Sequence, residues 1–170
     1  MTFEKAIEKG QKSELIAEQF FKKQNYTYID VRDNPQYQKQ DIDYIVNELG
    51  SVEVKTNYHI ALYGRPGYFF WIEISVGNNE GFWYKSKADW FMFLNDKGSG
   101  ILIENNELFK LYINNLIDNG DHSAYGNNRF DTIKDKRYNR YIEVVNMRVY
   151  LESIDKKLNI IKIVKRKYES

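Results

Sequence analysis

The sequence predicts an α/β fold on three observations. Residues 2–24 carry apolar side chains at helical spacing, two short segments at 41–46 and 51–56 alternate with a period of two, and shorter strand-like and helix-like stretches follow. At 170 residues the chain has the length of one domain, read here as 1–170 with a core over 1–118 and a loop and basic elaboration over 119–170. It has no cysteine and only His59 and His122, which excludes a disulfide scaffold, a thiol nucleophile, Cys-ligated metals and a His-rich metal site.

No run of 18 apolar residues occurs, and Met1-Thr2-Phe3-Glu4-Lys5 lacks the basic and apolar regions of a signal peptide, so a soluble cytoplasmic protein that does not enter membranes is expected. The Lys-, Asn-, Ile- and Tyr-rich composition hints at an AT-rich genome, bacterial or phage. The net charge of +1 hides an asymmetry: residues 132–170 carry 11 basic against 5 acidic side chains. Lys162, Lys165, Arg166 and Lys167 at the end would meet a phosphate backbone or form a solvated tail.

In the first segment Phe3, Ala6, Ile7, Gly10, Ala17, Phe20 and Phe21 share one helical arc. Glu14 falls inside it, a heptad step from both Ile7 and Phe21, where a carboxylate needs a cation, a proton or hydrogen bonds. Residues 26–31 read as a strand, followed by a polar loop containing Asn34-Pro35. The segments 41–46 and 51–56 then read as a hairpin closed by Glu48-Leu49-Gly50, with positive φ at Gly50 and Tyr44 opposite Val54. In that register Ile42, Tyr44, Val46, Val52 and Val54 share one face, while Asp43, Glu53 and Lys55 converge on the other.

Residues 68–76 are aromatic and β-branched and read as the third strand of an antiparallel meander, reached through the turn Gly64-Arg65-Pro66-Gly67. A loop at 77–81, a capping-box helical turn from Ser86 to Asp89 and a buried strand at 90–94 follow. A strand at 101–104 and a helix at 106–118 come next, then a polar surface excursion at 119–140. The end reads as a strand at 141–145, a helix near 148–154 and a strand at 158–164.

Asp43 and Glu53, with Glu14 projecting from the helix, form a hard oxygen set of the kind Mg²⁺ prefers. Lys55 sits two residues from Glu53, the spacing that puts both on one face of a strand, and its ammonium is suited to orienting water or neutralising a phosphate. Asp41 shares the face of Asp43 and either supports the site or is solvated. Glu73 reads as exposed on its strand, and His59 as a surface or packing residue. Asn57, Tyr58, Arg65 and Lys85-Ser86-Lys87 flank the carboxylates and are candidates for phosphate contact.

The order of a Gly10-x-x-x-Glu14 helix, strand Ile42-Asp43, a turn and Glu53-Val54-Lys55 resembles the PD-(D/E)xK nuclease superfamily, the restriction-endonuclease-like fold. The helix motif is most similar to Holliday-junction-resolvase-like members, and Lys85-Ser86-Lys87-Ala88-Asp89-Trp90 with its apolar strand is similar to small phage and prophage endonucleases. The resemblance covers residues 10–94, with Ile42 in place of the proline of the family name. It implies an αβββαβ core with a central mixed sheet flanked by helices. It also implies a magnesium-binding, DNA-binding hydrolase: Asp43, Glu53 and Glu14 as metal ligands for Mg²⁺, with Mn²⁺ substituting, and Lys55 as the catalytic lysine. DNA is the implied partner, a Holliday junction the implied structure, and a homodimer suits a two-fold substrate. The alternative is a non-catalytic nucleic-acid-binding or inhibitory module that retains the fold.

Overall fold

The computed structural model describes residues 3–56, 58–60, 68–95, 97–119, 129–137, 140–150 and 157–163. The basic end at 165–167, the turn at 64–67 and Asn57 lie outside the described residues. The chain is mixed α and β and divides into two compact units, one of residues 1–58, 87–105 and 159–170, the other of residues 59–86 and 106–158. Each unit is assembled from separated stretches of chain. No helix among the described residues is long and apolar enough to cross a membrane.

The first unit holds helix α1 (Phe3–Lys23) and a six-stranded mixed sheet. Helix α1 ends in a Schellman motif: Asn25 takes φ 57°, its N–H donates to the Lys22 carbonyl, and the Tyr26 N–H donates to Phe21. Strand β1 (Tyr28–Asp30) follows, then one helical turn α2 (Pro35–Gln38) where the sequence suggested a loop. Asn34 caps that turn by accepting from the Gln36 N–H, and Pro35 occupies the first helical position, where its missing N–H costs nothing.

Strands β2 (Tyr44–Val46) and β3 (Gly50–Lys55) form the expected hairpin, but Tyr44 pairs with Val52 rather than Val54. The turn is Val46 to Leu49, closed by the Leu49 N–H on the Val46 carbonyl, and Gly50, at φ 92°, is the first residue of β3. A slip of two residues preserves every face, so the apolar pattern had no power to distinguish the two registers. Gly50→Ala is expected to cost about 2 kcal/mol, roughly 5 °C in Tm. The added methyl would lie 2.5 Å from an Asp89 oxygen, Oδ2, that already accepts from the N–H and hydroxyl of Ser51. Thermal denaturation checks this, and an unchanged Tm would contradict it.

Strand β4 (Tyr58–Ile60) continues the chain into the second unit, whose sheet runs in the order β4, β5 (Tyr68–Val76), β10 (Arg140–Tyr150) and β9 (Arg129–Arg137). Strand β5 (Tyr68–Val76) keeps its expected bounds but joins that sheet, and a two-residue strand β6 (Asn79–Glu80) folds back on it. The expected meander of β2, β3 and β5 is therefore replaced by β1, β2 and β3. The other edge of β3 is taken by β7 (Trp90–Leu94), which runs parallel to it and pairs antiparallel with β8 (Gly100–Glu104). All five residues of β7 are buried, as a strand covered on both faces requires, whereas β5 alternates buried Phe70 and Ile72 with half-buried Trp71 and Glu73. Strand β11 (Ile160–Ile163) closes the first sheet beside β8.

Helix α3 (Phe82–Lys85) stops where the capping box was expected to start, with Ser86 extended and the Asp89 carboxylate committed to Ser51. Helix α4 (Glu107–Asp118) has the expected place, capped by the Asn106 side chain on the Phe109 N–H. The excursion at 119–140 contains a charged strand, β9 (Arg129–Arg137), and the expected helix near 148 is instead the end of β10 (Arg140–Tyr150). A charged strand at a sheet edge has little apolar pattern to betray it. Residues 151–154 of that expected helix lie outside the described residues.

One core lies between α1 and the first sheet. Ala17, Phe20 and Phe21 of the helix meet Tyr44, Val46, Val52, Met92, Leu94 and Leu102, with Val54 packed at the margin. Glu53 and Lys55 alternate with Val52 and Val54 along β3, so they belong to its other face.

Candidate functional site

Glu53 is the anomaly of the first sheet. It is 3% exposed, and in register it sits beside fully buried Phe91 of β7, with Lys55 beside Phe93. Its Oε1 forms an ion pair with the Lys55 ammonium, while Oε2 is buried with no hydrogen-bond partner. Burial pushes the Glu53 carboxyl up to about 8, against the opposing pull of Lys55 and with repulsion from Asp43. Burial lowers the Lys55 ammonium, but Glu53, Asp41 and Asp43 together leave it raised.

Asp43 lies one residue before β2. Its N–H donates to the Val52 carbonyl at 3.0 Å, and its Oδ2 accepts from the Val54 N–H at 2.7 Å, so the side chain stands in for a rung of the hairpin. That bond holds the carboxylate beside the Glu53–Val54 peptide, between Glu53 and Lys55. Burial raises the Asp43 carboxyl, offset by the Val54 N–H, Lys55 and Arg32. Asp41 supplies the turn into this segment, with φ 49°, a conformation Asp adopts more readily than most residues. Its charge acts on Asp43, Glu53 and Lys55 together.

The structure places Glu14 differently from these. Its carboxylate is in an ion pair with Arg32, half-buried at the margin of the helix stripe. Arg32 also donates from Nε to Asp30 at 2.9 Å, reaches Glu18 at 3.4 Å, and lies 5.1 Å from the centre of the Tyr44 ring. The Glu18 carboxylate accepts from the hydroxyls of Tyr28 and Tyr44, each at 3.3 Å. Burial raises Glu14, Arg32 draws it down, and Asp43 pushes it up. The hydrogen bond from Arg32 holds the Asp30 carboxyl below its ordinary value. Next to Glu14, Ser13 is buried and its hydroxyl meets that of Thr56 at 2.8 Å, which ties α1 to the end of β3.

Arg32, Glu18 and Asp30 were not legible as site residues in the sequence. One signal pointed to Arg32: a carboxylate inside an apolar stripe needs a cation, and Asp30-Val31-Arg32 ends the strand after α1. Glu73 lies in the sheet of the second unit, half-buried and opposite Asn146. His59 lies in β4 with its side chain outside the described residues, as is that of Tyr58; Lys85 and Lys87 are exposed.

Among the described residues, no three Asp, Glu or His side chains are gathered as a ready metal cage. The donor chemistry of Asp43 and Glu53 nonetheless suits Mg²⁺, which is held by one or two carboxylates together with waters and substrate phosphate. Glu53 Oε2 is an acceptor whose burial without a partner is costly. Glu14 is paired to Arg32 through Oε2, and its charge is felt by that of Asp43. Neither models of known protein families, nor curated proteins, nor solved structures give a significant match to this chain.

Proposed function

We propose that this chain is a metal-dependent DNA endonuclease of the PD-(D/E)xK type, with Asp43 and Glu53 as metal ligands and Lys55 as the catalytic lysine. The observation that carries the reading is the buried Glu53, ion-paired to Lys55 through one oxygen and unpartnered at the other, with Asp43 tied to the peptide between them. The order α1, antiparallel β1-β2-β3 and parallel β7 is compatible with the αβββαβ arrangement of the restriction-endonuclease-like fold.

Phosphodiester hydrolysis adds water to phosphorus, breaks one P–O ester bond and leaves an alcohol and a phosphomonoester. Mg²⁺ or Mn²⁺ held by Asp43 and Glu53 would polarise the phosphoryl group and make a bound water more acidic. The Lys55 ammonium compensates charge developing on the phosphate oxygens and orients the attacking water. Its pairing with Glu53 also favours the ionised carboxylate that ligation requires. Glu14 is a reserve carboxylate, kept in place by Arg32. A branched DNA is the favoured substrate on the resolvase-like helix motif, and a homodimer would match its two-fold symmetry.

The test is cleavage of plasmid and four-way-junction DNA in Mg²⁺, Mn²⁺ or EDTA by wild type and Asp43→Ala. Metal-dependent cutting by wild type, reduced at least about 100-fold in the variant, is expected, since a lost ligand removes transition-state charge stabilisation. Absence of cutting by wild type in either metal overturns the proposal. The second reading, a binding module that retains the fold, is favoured by the Glu14–Arg32 pair, which keeps the third carboxylate engaged. It requires DNA binding that is indifferent to metal and to Asp43→Ala.

A further inference from the structure

Past the end of β5, the second sheet is two strands wide among the described residues. Strand β10 pairs with β5 from Val144 to Tyr150, whereas Arg140, Tyr141, Ile142 and Glu143 pair, among the described residues, with β9 alone. Their partners are Arg137, Lys136, Asp135 and Lys134 in that order. A two-stranded ribbon is marginally stable by itself. This one also sets Arg137 directly opposite Arg140 on its outermost rung, a like-charge pairing that works against the hairpin. The next rung adds Lys136 opposite Tyr141, so three cations and no acid occupy the two end rungs. The acids come further in: Glu143 faces Lys134, and Asp135 faces Ile142. Positive charge is thus concentrated at the end farthest from the third strand.

We propose that this ribbon is a DNA-contacting arm whose end, at Lys136, Arg137 and Arg140, docks on the phosphate backbone of a duplex. The major groove of B-form DNA, about 12 Å wide, admits a two-stranded antiparallel ribbon. Phosphates are anions suited to such a cluster of cations, and bidentate contact suits the guanidinium. The choice of DNA as the anion rests on the nuclease reading, but the arm lies on different strands from the carboxylates, so the two can fail separately.

The experiment is fluorescence anisotropy of a labelled duplex in EDTA, with the full-length wild type, Arg137→Ala/Arg140→Ala and Arg137→Lys/Arg140→Lys. The double alanine variant is expected to bind about tenfold more weakly, with the slope of log K against log salt reduced by about two. The double lysine variant should retain most of that slope, and Tm should not fall in the alanine variant. Binding by the alanine variant with wild-type affinity and slope overturns the arm, as does failure of wild type to bind duplex. If the alanine variant loses binding while wild type cuts nothing in Mg²⁺ or Mn²⁺, the arm stands and the nuclease reading falls. If wild type cuts and the alanine variant binds normally, the reverse holds.

Discussion

Lys55→Met is expected to abolish DNA cleavage and lower Tm, whereas Glu53→Gln is expected to abolish cleavage with Tm unchanged or raised. The asymmetry follows from burial. Glu53 is 3% exposed, while 27% of the Lys55 side chain reaches solvent. Without Lys55 the carboxylate is left among Phe91 and its neighbours with no cation, a loss of about 3–5 kcal/mol where it must stay ionised. At lower pH the loss shrinks, because Glu53 takes up a proton instead. Without the Glu53 charge, Lys55 can turn its ammonium to water, and the desolvation penalty of the carboxylate disappears. Both variants remove a group that the proposed hydrolysis requires, so cleavage is expected to separate from stability. Calorimetric melting and a cleavage assay on the same preparations check the pair. Cleavage by Lys55→Met at the wild-type rate would sink the nuclease reading, and an unchanged Tm would sink the coupling between burial and charge.

The stability of the wild type should fall as pH rises from about 4.5 to about 8 and level off above that. Glu53 has an ordinary value of 4.5 in the unfolded chain and about 8 in the folded one. Between those limits the folded state holds a proton that the unfolded state has lost, so its contribution is fully present below 4.5 and gone above 8. At about 1.4 kcal/mol per pH unit, the change is on the order of 5 kcal/mol at most. Asp43 and Glu14, also raised by burial, act in the same direction from their own lower values. The raised Lys55 ammonium contributes below its ordinary 10.5 and is therefore constant across this window. Asp30, held down by Arg32, has the opposite sign and matters only in acid.

Glu53→Gln should flatten the profile, and a divalent cation that selects the ionised carboxylates should raise Tm more at pH 8.5 than at pH 6. Melting curves across pH, with and without Mg²⁺, provide the check. Parallel profiles for wild type and Glu53→Gln would show that Glu53 does not titrate in this range.

The sequence by itself determined α1, through an apolar arc that only a helix places on one side, and the bounds of β5 and β7, through aromatic and β-branched runs. It also determined that Glu53 and Lys55 share a face, since alternation along a strand is a property of the backbone. The position of Gly50 as the positive-φ residue of the hairpin was legible for the same local reason. The tertiary structure decided the rest. Which strand lies beside β3 depends on pairing between residues 52–55 and 90–93, far apart in the chain, and local pattern carries no record of a partner. The hairpin register shifted by two because both registers present identical faces. The burial of Glu53 follows from its place beside β7, and the capture of Glu14 follows from β1 ending beside α1 with Arg32. Local backbone preference thus assigned Glu53 and Lys55 to one strand face, while long-range packing set the burial and the partners of the carboxylates and the lysine.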